Sequence, residues 1–213
     1  MRQDDRKYAR WAFLFILLAF TASLALSCKK EAPAAKGSSA QGVNPYNSNS
    51  VYSEVKGELK KDPNDVEALY HLADLYDREG LYADAIKNYQ KVVKLKPGMG
   101  YAYFKMATAY DRMNKPAEAI ASFRETIKRM PSFAVAYNNM GVAYGKLGKR
   151  SEEINALRKA IKLRPNYSAA RYNLGFTYLK AGNRKAALRQ YEALEKFDSG
   201  IADELMEKIK GGS

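Results

Sequence analysis

Within residues 66–79 the apolar side chains return every three to four positions, so that Leu72, Ala73 and Tyr76 share one face. Residues 83–95 repeat the pattern with Ala85 and Tyr89. Spacing near the helical period, with charged residues between, predicts two amphipathic helices over 66–79 and 83–95, each with one stripe to bury. The pattern then restarts downstream.

Pro63, Pro97, Pro131 and Pro165 stand 34 residues apart. At that period Leu72, Met106, Met140 and Leu174 form a column, as do Ala73, Ala107, Gly141 and Gly175, and Tyr76, Tyr110, Tyr144 and Tyr178. Two more read Ala85, Ala119, Glu153, Ala187 and Tyr89, Phe123, Leu157, Tyr191. Self-similarity at this length predicts a solenoid, in which each unit buries its apolar face against the next. Small residues let two helices approach, and large ones fill the space between pairs. Gly80, Asn114, Gly148 and Gly182 suit the left-handed backbone that closes a helix. The prolines end the second helix of each pair, and Pro116 sits where it can start one. Glu153 departs from its alanine column and must either reach solvent or loosen the third unit.

These columns resemble the tetratricopeptide repeat (TPR) family. The resemblance implies an all-α, right-handed α-solenoid of about four TPR helix-turn-helix repeats, at 66–99, 100–133, 134–167 and 168–199. It also implies a concave groove lined by the first (A) helix of each repeat. The matching slots hold Tyr70, Asp74 and Arg78, then Tyr101, Phe104 and Arg112, then Asn138 and Lys146, then Tyr172, Phe176 and Lys180. Asp77, Thr108, Asp111 and Gly145 occupy further slots. Exposed rings on such a wall are interface anchors, and extended or helical peptides are the ligands such walls take. In chaperone-binding members a basic and asparagine set clamps a C-terminal carboxylate. Tyr70 and Asp74 stand at two of its slots here, so that mode is not supported.

Flanking segments read as caps. Residues 50–63 match the second helix of a missing half-repeat, and residues 200–213 contain Ile201, Leu205 and Ile209 on one face. Terminal repeats need such polar-backed covers.

Ahead of the caps lies a different chain. Residues 11–26 form an uncharged, mostly apolar run of 16 residues after a basic start. That is short for a membrane span and fits the core of a secretory signal. The run ends in Leu24, Ala25, Leu26, Ser27 and Cys28, the only cysteine. This resembles the lipobox of bacterial lipoproteins, with Ala25 at a position where leucine is usual. The resemblance implies a cleaved signal peptide over 1–27 and a lipidated Cys28, palmitate-type acylation included. Several acyl chains hold a protein stably on a bilayer. An uncleaved inner-membrane anchor is the other reading. Either way the chain is expected in a bacterial cell envelope, tethered on the periplasmic or outer-membrane side. Residues 28–49 are rich in Ala, Gly, Ser, Pro and Asn and read as a flexible tether.

Chemistry is scarce. The single histidine, His71, cannot make a metal site alone, and no nucleophile and base pair assembles without another. Neither a catalytic residue, a metal nor a cofactor is expected. The formal charge is +13, with cation ladders at Arg78, Arg112, Lys146 and Lys180 and at Lys94, Lys128, Lys162 and Lys196. Both lie near helix C-termini, where the helix dipole favours a cation. The function that results is a membrane-anchored scaffold binding a protein or peptide, with no nucleic acid and no small-molecule substrate. A basic module docking on anionic envelope polymer or lipid headgroups is the alternative.

Overall fold

A computed structural model describes residues 48–211. Among them the chain forms ten α-helices and no strand. They are α1 (Ser48–Lys61), α2 (Val66–Arg78), α3 (Tyr82–Leu95), α4 (Gly100–Arg112), α5 (Pro116–Arg129), α6 (Ala134–Lys146), α7 (Arg150–Leu163), α8 (Ser168–Lys180), α9 (Arg184–Glu195) and α10 (Ser199–Gly211). The expected signal, lipidated Cys28 and the tether up to residue 47 lie outside the described residues, whereas Ser48 and Asn49, expected in the tether, open α1. Each helix packs on its neighbours in sequence, and the A helices α2, α4, α6 and α8 also touch one another in series. The result is an all-α solenoid.

Local chemistry sets the boundaries. Asp65 caps α2 by accepting from the amides of Glu67 and Ala68 at 2.9 and 3.1 Å, and Asn183 caps α9 through the amide of Ala186 at 3.0 Å. Pro116 opens α5. All four turn residues have positive φ: 78° at Gly80, 55° at Asn114, 70° at Gly148 and 72° at Gly182. The following amide in each case returns to the tyrosine column, from Leu81 N to Tyr76 O (2.8 Å), Lys115 to Tyr110 (2.9 Å), Lys149 to Tyr144 (3.0 Å) and Asn183 to Tyr178 (2.9 Å). One turn geometry is thus used four times.

The core follows the columns. Tyr89, Phe123 and Leu157 are fully buried, as are Ala73, Ala107, Ala85, Ala119 and Ala187. A Cβ added at Gly141 would stand 2.9 Å from Leu157 Cγ, which is why this unit needs glycine. Neighbouring repeats are tied by a further rung 20 residues long. Gln90 donates to the Tyr110 hydroxyl (3.3 Å), Arg124 to Tyr144 (2.9 Å) and Arg158 to Tyr178 (3.0 Å).

Glu153 finds a partner inside the stack. It stays half-buried, and its Oε1 accepts from Thr177 Oγ1 at 2.6 Å. Room for it comes from Gly145, where an added Cβ would lie 2.8 Å from that same oxygen. A large-for-small exchange on α7 is matched by a small residue on α6. Gly145→Ala should therefore destabilise the protein by about 1 kcal/mol, because Glu153 must leave Thr177. In a Glu153→Ala background the same change should stabilise by about 1 kcal/mol, as alanine does in an open helix site. Urea unfolding of the four variants reads the sign, and equal effects in both backgrounds would refute the coupling.

The ends are closed by α1, whose Val55 is buried against Ala68 and Leu72, and by α10. Leu205 and Ile209 of α10 are fully buried against α8 and α9, whereas Ile201 is half-exposed and Ala202 takes the buried place beside it.

The A-helix wall as a candidate binding site

Stacking sets the A helices side by side, so residues at one slot in successive repeats become neighbours. Charges there are largely spent on one another. Arg112 Nη1 on α4 meets Asp77 Oδ1 on α2 at 2.8 Å, and Lys146 Nζ on α6 meets Asp111 Oδ1 on α4 at 2.6 Å. Each pair spans 35 residues. The next member, Lys180, would face Gly145, which has no carboxylate, and it lies instead 4.4 Å from the centre of the Phe176 ring. The cation ladder is thus an inter-repeat clasp as well as a helix-end feature, broken at its C-terminal rung.

Asp74 anchors the other end. It pairs with Arg78 Nη2 at 2.8 Å, accepts from Lys105 Nζ of α4, and lies 3.4 Å from the Tyr89 hydroxyl. Burial pushes its carboxyl upward, but Lys105 and Arg78 outweigh that and hold it below the usual range. The same burial, with Asp74 nearby, pushes the Tyr70 hydroxyl up. A carboxylate depressed in the folded state stabilises above its ordinary pKa of about 3.9, and that contribution is lost as pH falls through the folded value. Asp74→Asn should cost about 1.5 kcal/mol at pH 7, and the cost should shrink as pH falls below the ordinary carboxylate range and the carboxyl takes up its proton. Unfolding curves at pH 7 and below that range check it, and a constant difference would place the effect outside the charge network.

The rings divide into packed and available. Phe104 lies 4.9 Å from Phe133 and 6.0 Å from Phe123, centroid to centroid, and packs half-buried against the core. Tyr70 packs edge-on against Tyr89 at 5.6 Å. Tyr101, by contrast, is 50% exposed. Tyr172 and Phe176 stack at 6.3 Å with planes 16° apart, both half-buried. Asn138 is buried, donates to Asn139 Oδ1 and accepts from Asn173 Nδ2, each at 3.0 Å.

Between α4 and α6 the wall has a depression of about 250 Å³, lined by Thr108, Asp111, Arg112, Asn139 and Val142 with Phe123 beneath. Asn139 was not among the expected groove residues, nor were Lys105 and Asn173. Their column, His71, Lys105, Asn139 and Asn173, is polar in every repeat, and that was the available signal.

Fold and wall together define a helical-repeat protein with an aromatic, ion-paired face and an open depression. Profiles described as tetratricopeptide repeat match residues 66–99, 101–132 and 133–164, and one described as TPR repeat matches residues 152–182. The chain belongs to the tetratricopeptide repeat family. It is similar to two solved structures of MamA. One is 30% identical with a TM-score of 0.64, covering 72% of this chain and 85% of that one. The other is 31% identical with a TM-score of 0.66, covering 70% and 82%. The first TPR of Spaghetti (RPAP3), solved bound to the HSP90 peptide SRMEEVD, is 25% identical with a TM-score of 0.54, covering 57% of this chain and 96% of that one. No curated protein matches the chain.

Proposed function

We propose that the chain is a scaffold that holds a peptide or protein segment along the A-helix wall, tethered in the bacterial envelope through an acylated Cys28. It is a binding protein and not an enzyme. The observation that carries the reading is the contrast along the wall: its charges pair with each other, while Tyr101, the Tyr172 and Phe176 stack and the depression between α4 and α6 are left for a ligand. Accessible rings and a polar hollow on one wall are features that peptide recognition uses. A TPR relative solved with a bound peptide supports the same use of the fold.

The test is capture from envelope extract with the intact chain, beside a variant lacking Tyr101, Tyr172 and Phe176. A partner held by the wild type at high salt and lost by the variant is the expected outcome. Retention by both would sink the wall as the site. Cys28→Ser should release the protein from the membrane fraction without touching capture, and unchanged membrane retention would refute acylation there.

A further inference from the structure

We propose that the cavity between α7, α8 and α9 is an anion site that takes a phosphoryl group. The cavity is about 220 Å³ and is lined by Arg158 of α7, Arg171 of α8 and Arg189 of α9, together with Tyr178 and Gln190. No carboxylate lines it. Among the described residues the ion pairs of this protein involve other side chains, and none of the three arginines is in one. The wall on the other side is the reverse case, with Arg112, Lys146 and Lys105 each facing an aspartate.

The repeat accounts for only one of these arginines. Arg158 has a periodic counterpart, since its bond to Tyr178 copies that of Arg124 to Tyr144. Arg171 has none, because its column reads Leu69, Tyr103 and Tyr137 in the other repeats. The column of Arg189 reads Lys87, Ala121 and Asn155. Placing a half-buried guanidinium where an apolar residue would serve costs desolvation, and burial lowers its pKa from the ordinary value. Arg171 Nε donates to Pro165 O at 2.8 Å, and Nη1 makes a long contact of 3.4 Å with Gln190 Oε1. One edge of the fork is thereby fixed on protein, which orients the group without neutralising it. Each guanidinium carries five donors, so most of the donor capacity of the three is unspent.

Three cations around one small hollow repel one another, and a ligand with two charges offsets that repulsion better than a single carboxylate does. Guanidinium forks also match the oxygen spacing of a phosphoryl group. The hollow is smaller than the roughly 300–1,000 Å³ of a whole drug-sized ligand, so it fits a headgroup-sized piece. Arg171, Leu174 and Tyr178 project from the side of α8 roughly half a turn away from Tyr172 and Phe176, so the site and the wall can be filled together.

Thermal unfolding of the full chain is followed with inorganic phosphate, acetate and chloride at equal ionic strength and pH 7.5. Phosphate should raise the midpoint in a saturable way, while acetate and chloride should not. Arg189→Ala, at an exposed position, should fold as the wild type does and bind phosphate at least about tenfold more weakly. Arg171→Leu, which copies Leu69, should lose phosphate binding as well. Arg124→Ala, the periodic counterpart outside the cavity, should keep it. Monomeric short-chain phosphatidic acid separates the sources: tighter binding than phosphate identifies a lipid headgroup, and equal binding a free phosphate. Absence of a phosphate-specific shift, an equal shift with acetate, or unchanged affinity in Arg189→Ala would each overturn the proposal. Arg189→Ala alone decides if Arg171→Leu does not fold.

Discussion

Phe123→Ala should destabilise the protein by about 3–5 kcal/mol. The ring is fully buried in α5 and packs with Ala107, Ala119 and Ala136, with the Phe104 ring 6.0 Å away and tilted by 51°. The three alanines carry no side chain that could swing into the void, which limits collapse and keeps the cost in the range of a core ring. The position matters as much as the size. Phe123 belongs to the second repeat, inside the stack, where each unit contacts only its neighbours. Losing that interface should also broaden the unfolding transition as the two ends uncouple. Urea unfolding measured by circular dichroism tests both effects. Leu81→Ala, at a side chain 45% exposed, is the control expected to change stability by less than about 0.5 kcal/mol. A loss below about 1 kcal/mol at Phe123 would mean that the core tolerates a void there. Phe123 also floors the depression between α4 and α6, so partner binding should fall with it.

Replacing Tyr101, Tyr172 and Phe176 together by alanine should weaken partner binding by at least about 100-fold, since anchor rings at interfaces cost 2 kcal/mol or more apiece when truncated. The three are not equivalent. Tyr101 is half-exposed and touches Phe104 and Phe133 only by its edge and one tilted face, so its removal should leave stability almost unchanged. Tyr172 packs against the C-terminal core, and some of the effect of its loss will be structural. Tyr101→Ala is therefore the decisive single variant: tenfold or greater loss of binding at unchanged melting temperature assigns the ring to the ligand. High salt should leave wild-type affinity within a few-fold, because the wall cations other than Lys180 are already paired. A steep fall with salt, the same in wild type and variant, would move binding from the rings to the basic surface.

Several features of the repeat were legible in the residues alone. Gly80, Asn114, Gly148 and Gly182 had to be turns, because few residues tolerate a positive φ and the period placed four of them in register. Ala73, Ala85 and Tyr89 had to be core, because size and spacing recur together. The wall was located but not apportioned. Asp74, Asn138 and Phe104 lay at groove slots, yet the first two are bound to neighbouring repeats and the third is packed against the core. Lys105, Asn139 and Asn173 stand one place after a groove slot of the family pattern, in a column that is polar in every repeat.

By itself, then, the sequence determined the helices, their turns and their order of stacking, since those depend on side-chain size and backbone preference within some 34 residues, repeated four times. Only the tertiary structure decided which polar groups are spent. Asp77 finds Arg112, Asn138 finds Asn173, Glu153 fits over Gly145, and Arg158, Arg171 and Arg189 converge on one hollow without a carboxylate. Each of these turns on how one repeat is rotated against the next. That rotation is fixed by packing across the interface and leaves no local signature in the chain.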